Sequence, residues 1–267
     1  MEITMNTIFK HEIKTSLKTL FIWVICVGGI GFACILLYSN MKDNIQDMAK
    51  GFASMGAFSD AFGMSQLNIA TLKGYYATEI GTIHALGGSM FSAIISTTML
   101  SKEEDGHTSE FLFSLPIARR KAVTAKWSAA ALIIFLFQIL CVLCYSLGIL
   151  FIGDSIPLDR FIQFHAMQFL MNLEIAAICF AISAFNKKNK PGVGLGIVLL
   201  LYAYDMIARV VPDLSDYKFP SPFSYANAAD ILSTGNFETK SVLLGVVVLV
   251  VCVTAALADY TRRDLAI

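Results

Sequence analysis

Residues 20–38 run for nineteen positions without Asp, Glu, Lys or Arg, and five comparable runs follow at 80–100, 127–152, 161–185, 191–211 and 241–258. A helix rises about 1.5 Å per residue and the hydrocarbon of a bilayer is roughly 30 Å thick, so each run is long enough to cross it. Only the fourth and fifth runs contain charge. A membrane β-barrel needs segments of about ten residues that alternate apolar and polar, and these continuous runs do not alternate. The expected fold is therefore an all-α integral membrane protein with six transmembrane helices in a single membrane domain over 1–267. The low charge content, 15% against about 25% in soluble domains, agrees with it.

Basic residues stay on the cytoplasmic side of a membrane. With both termini inside, the inner segments hold thirteen of the twenty Lys and Arg residues, among them Lys10, Lys14, Lys18, Lys102, Arg119, Arg120, Lys121 and Lys126. Before the first run, Met5, Ile8, Phe9, Ile13 and Leu17 recur at helical spacing beside Lys10, Lys14 and Lys18. The expectation is an amphipathic helix lying in the inner interface, with a plain extension of the first span as the alternative. Gly31-Phe32-Ala33-Cys34 resembles a lipoprotein cleavage box, but the run is longer than a signal core of about 7–15 residues and continues past Cys34, so it reads as a span. The six cysteines all fall inside spans and read as small core hydrophobes. In the outer connections, a stripe over 48–62 fits one helical face, and a short helix is expected near 225–232.

The connection over 101–126 is far longer than the roughly 2–8 residues that join neighbouring helices in bundles. Its sequence, SKEEDGHTSEFLFSLPIARRKAVTAK, opens on Glu103, Glu104 and Asp105, passes Gly106 and Thr108, and sets Phe111, Leu112 and Leu115 on one side of a short helix stopped by Pro116. Bases follow at Arg119, Arg120, Lys121 and Lys126. A small amphipathic helix parallel to the membrane and a solvated loop whose bases fix topology are equally compatible with these residues.

The segment resembles the connection between the second and third spans of ABC transporter permeases of the type-2 exporter class. The matching features are the pair Glu103-Glu104, the step Gly106-His107-Thr108, Glu110, the apolar Phe111-Leu112, Leu115-Pro116, the basic Arg119-Arg120, and Lys126. His107 splits the usual Gly-Thr step, and Ala118 stands where Ser is common. The six-span layout and the closing Arg262-Arg263-Asp264 match as well. The resemblance implies that Glu103, Glu104, Gly106, Thr108, Glu110, Phe111, Leu112, Leu115, Pro116 and Arg119 form a coupling helix seated on a separate ABC ATPase subunit. It also implies two ATPase copies holding ATP and Mg, a second permease subunit (homodimer or heterodimer), and a multi-pass place in a bacterial plasma membrane. The sequence carries no G-x-x-x-x-G-K-[ST] phosphate loop, so no ATP site, and hence no enzyme activity, is expected in this chain, nor any cofactor, metal or nucleic-acid partner.

Charge at membrane depth is unfavourable by about 2.5–3.5 kcal/mol per group. Glu174, near Gln168 and Asn172, either faces a translocation path or binds a cation, or else it is protonated or bonded to a neighbouring helix. Asp205 and Arg209, four residues apart, form either an intrahelical pair or a gate for charged cargo. His84 and the hydroxyls of Thr82, Ser89, Ser92, Ser96, Thr97 and Thr98 mark a second span that packs closely or borders water. Gly192-x-x-x-Gly196 reads as a site of close helix approach. Amphipathic cargo such as peptides, toxins, antimicrobials or lipids suits the apolar spans. The alternative is a secondary carrier or channel driven by an ion gradient that uses Glu174 or Asp205.

Overall fold

The computed structural model describes residues 5–53, 56, 59, 67–108 and 117–262. They form helices and connections, with no strand among the described residues. Helix α1 (Met5–Trp23) passes through a π-helical stretch, Val24–Gly29, into α2 (Ile30–Ala53). A one-turn α3 (Leu72–Tyr75) leads through a second π stretch, Tyr76–Ile80, into α4 (Gly81–Thr97), followed by the short α5 (Ser101–Asp105). Then come α6 (Arg119–Ile152), α7 (Leu158–Phe185), α8 (Pro191–Val210), the short α9 (Pro222–Tyr225) and α10 (Ala228–Thr234), and α11 (Thr239–Arg262).

Six of these helical stretches are long and apolar enough to span a membrane: Met5–Lys42, Leu72–Thr97, Arg119–Ile152, Leu158–Phe185, Pro191–Val210 and Thr239–Arg262. Each contains the greater part of one expected run. The ends are set by local chemistry. Pro191 occupies the first turn of α8, where its missing N–H leaves no bond unmade, and Gly153 closes α6 with φ 69°, a left-handed conformation favourable to glycine. The Asn227 side chain caps α10 by accepting from the Asp230 N–H at 3.1 Å.

The amino-terminal segment differs from the expected surface helix. It continues without a break into the first span, the alternative reading, because its apolar stripe has a protein surface to cover. Ile8 packs with Ala122 and Ala125 at the start of α6, and Glu12, on the same face one turn later, is buried. Backbone of the stripe expected over 48–62 is described only in part, and its side chains lie outside the described residues.

Helices α4 and α7 form the centre of the bundle, whereas α8 and α11 turn long apolar faces outward. Three hydroxyls of α4 are buried and bond to its own backbone, Ser89 to the Leu86 carbonyl at 2.9 Å, Ser92 to that of Gly88 at 2.8 Å and Thr97 to that of Ala93 at 2.7 Å. The second span is therefore one that packs closely.

The expected glycine contact is shifted by two residues. Side chains added at Gly192 or Gly196 meet open space, while a Cβ at Gly194 would lie 2.2 Å from the Thr97 hydroxyl and 3.3 Å from the Ala93 carbonyl oxygen. Gly194 faces α4, and its two neighbours face away. We expect Gly192→Ala and Gly196→Ala to leave thermal unfolding of the purified chain unchanged. Gly194→Leu should destabilise it by about 1–3 kcal/mol, as overpacking does.

Candidate functional site

The root of the long connection is a knot of charged and polar groups drawn from five of the six spans, with the sixth, α8, packed against it. The Lys126 ammonium, at the start of α6, donates to Glu12 Oε1 on α1 at 2.6 Å, to the Met99 carbonyl at 3.0 Å, and to Glu103 on α5. All three of its protons are thus used. Lys102 pairs with the other Glu12 oxygen. Two acids and two bases balance, and the Lys126 and Glu12 side chains are 2% and 1% exposed. A buried charge is tolerated only when paired and hydrogen-bonded in this way.

Other spans tie into the same point. The Ser183 hydroxyl, near the end of α7, accepts from the Leu100 N–H at 2.9 Å and the Ser101 N–H at 3.0 Å. The Tyr260 hydroxyl of α11 reaches the Leu100 carbonyl at 3.5 Å. The close contact of Gly194 with Thr97 brings in α8.

From this root α5 leads outward and ends in a Schellman motif, with the Thr108 N–H donating to the Glu103 carbonyl at 2.8 Å and the His107 N–H to that of Glu104 at 3.3 Å. His107 holds φ 53°, the left-handed position where glycine is usual, and Asp105, Gly106, His107 and Thr108 are exposed. Of the three acids expected to meet a partner, the two that are described turn toward the bundle. Glu104 is buried, and Glu103 braces Lys126. Among the described members of the expected set, Gly106 and Thr108 are exposed, and Arg119 is half-buried at the start of α6. Glu110, Phe111, Leu112, Leu115 and Pro116 lie outside the described residues, as does the expected helix they would form.

At the opposite end of the bundle, Arg209 Nε donates to Asp205 Oδ2 at 2.7 Å, so the intrahelical pair is present. Its Nη1 also donates to Asp230 at 3.1 Å, a third member that sequence reading missed. Glu174 lies midway, where it accepts a bond of 2.8 Å from the Tyr225 hydroxyl. Gly245 makes room for it, since a Cβ there would stand 2.5 Å from Glu174 Oε2. Glu174 is thus bonded to a neighbouring element, the short α9, whose Ser224 carbonyl accepts from Arg209 Nη2 at 3.5 Å.

Glu12 is the other residue that the sequence reading passed over. One signal pointed to it: it falls four residues after Ile8, on the apolar face, and is the only acid of α1. Residues 6–265 match the family model described as ABC-2 family transporter protein. No curated protein matches the chain.

Proposed function

We propose, since this chain belongs to the ABC-2 transporter family, that it is the membrane-spanning permease subunit of an ATP-driven exporter for amphipathic cargo such as peptides or lipid-like molecules. Two copies of a separate ATPase bind ATP and Mg, and two permease subunits pair around the path. Both termini and the 101–126 connection face the cytoplasm of a bacterial cell. The connection, from Gly106 and Thr108 through Glu110, Phe111, Leu112, Leu115 and Pro116 to Arg119, seats on the ATPase. Glu103, which bonds Lys126, and the buried Glu104 lie on the permease side of that contact.

The observation that supports this reading is the knot at Lys126. A load applied to a flexible loop would be dissipated in the loop. Here the root of the connection is bonded to α1, α4, α6, α7 and α11 and packed against α8, so displacement of the connection displaces span ends together. Packed interfaces of this kind shift between discrete arrangements rather than deform continuously.

The test is uncoupling. In Glu110→Lys and Leu112→Asp, membrane insertion and co-purification of the second permease should be normal, and transport should fall at least tenfold while ATP hydrolysis continues. Normal transport in both variants would remove the assignment. Failure of any nucleotide-binding subunit to co-purify would favour the ion-gradient carrier, whose own test is a shift in the pH dependence of transport in Glu174→Gln.

A further inference from the structure

Arg209 is shared between two carboxylates, and the sharing leaves one oxygen over. The Asp205 side chain is 5% exposed, and its Oδ2 takes the Arg209 bond. Its Oδ1 is buried and receives no donor from the described residues. Gln168, 1% exposed, donates through Nε2 to the Ala226 carbonyl at 2.7 Å, and its Oε1 is likewise buried without a donor. These two residues, on α8 and α7, line one cavity of about 40 Å³ together with Thr82, Tyr202, Phe223 and Ala226.

A buried acceptor without a donor is unfavourable, and two of them on residues that line one cavity call for an occupant that supplies positive charge or protons. The surroundings favour positive charge. One guanidinium stands against the carboxylates of Asp205 and Asp230. The next base, Lys218, makes no bond to Asp205 among the described residues. The Tyr202 ring adds an aromatic wall, which also suits a cation. The volume is ample for a monovalent ion or an ammonium group.

We infer that this cavity binds one small monovalent cation, an alkali metal ion or a primary ammonium group, between Asp205 Oδ1 and Gln168 Oε1. Binding of this kind needs no ATPase, so the proposal stands or falls apart from the permease reading.

The experiment is thermal unfolding of the full chain in detergent, in chlorides of sodium, potassium, methylammonium and choline at equal ionic strength. Choline is the reference, because its quaternary nitrogen has no N–H to donate and its methyl groups keep the charge away from an oxygen. The expected result is a saturable rise of several degrees over choline with at least one small cation. A rise with sodium or potassium assigns a metal ion, and a rise with methylammonium assigns an ammonium site. In Gln168→Met the half-saturating concentration should increase at least tenfold. Equal melting in all four salts would leave only a bridging water and overturn the proposal, and an unchanged half-saturation in Gln168→Met would remove the site from this cavity. If Gln168→Met does not yield folded protein, the wild-type titration against choline decides alone.

Discussion

Replacing Lys126 by methionine is expected to lower the stability of the chain by about 3–5 kcal/mol, the range for removing one partner of a buried ion pair. The side chain is 2% exposed and its ammonium fills three acceptors, on Glu12, Glu103 and the Met99 carbonyl. Methionine matches its length and lacks every donor. Glu12 would keep Lys102, while Glu103 and the Met99 carbonyl would lose their bonds to α6. For a domain of this size the loss corresponds to a fall of roughly 10 °C in apparent melting temperature. Lys121→Met, five residues earlier and exposed, should change nothing measurable. Adding Glu12→Gln to Lys126→Met should be less damaging than the sum of the two single changes, because the second removes a charge the first left under-compensated. Strict additivity would show that the two groups do not interact, and the knot would lose its energetic basis.

The six spans were legible because membrane insertion imposes a length and an apolar composition that no tertiary contact needs to supply. Charge pairing was legible only where it was local. Asp205 and Arg209 are four apart on one helix, so spacing alone places them together, whereas Asp230 joins them from a different element. Lys126 read as a base at the membrane surface, since nothing near it in sequence suggested burial. The more deeply buried of its two acids, Glu12, lies 114 positions away, on a segment whose bases drew attention to the interface.

The glycines of the fifth span make the same point. Their spacing shows that Gly192 and Gly196 share a face, but only the packing of α8 on α4 shows that the face meeting a neighbour belongs to Gly194. Glu174 was visible as an anomaly in an apolar run. Its partner Tyr225 could not be read, because it lies in a connection whose prolines masked how deeply the short helices return into the bundle.

Gln138→Leu should be nearly as destabilising as Lys126→Met, by about 2–5 kcal/mol, for a reason that lies in the bundle centre. The Gln138 amide nitrogen donates to the His165 backbone carbonyl at 3.1 Å and lies 3.1 Å from His165 Nδ1. A carbonyl can only accept, so the amide orientation is fixed by that contact. Assigned from this hydrogen-bond pattern, His165 Nδ1 is the acceptor, and its protonated Nε2 donates to the Tyr76 hydroxyl at 2.8 Å. The Gln138 oxygen then accepts from His84 Nε2 at 3.0 Å, leaving His84 Nδ1 to accept from the Tyr145 hydroxyl at 3.1 Å. One side chain of α6 thus sets the tautomers of two histidines, one on α4 and one on α7. Leucine would strand the His84 N–H, His165 Nδ1 and the second acceptor position of the His165 carbonyl, at about 1–3 kcal/mol for each buried group left without a partner. Membrane depth offers no water to replace them. Adding His84→Leu to Gln138→Leu should recover part of the loss, since the stranded His84 N–H disappears while the Tyr145 hydroxyl, released from His84, keeps the Val27 carbonyl at 3.4 Å. Apparent melting temperatures of the single and double variants in one detergent would measure this, and a double variant less stable than Gln138→Leu would show that packing, not the stranded donor, sets the penalty.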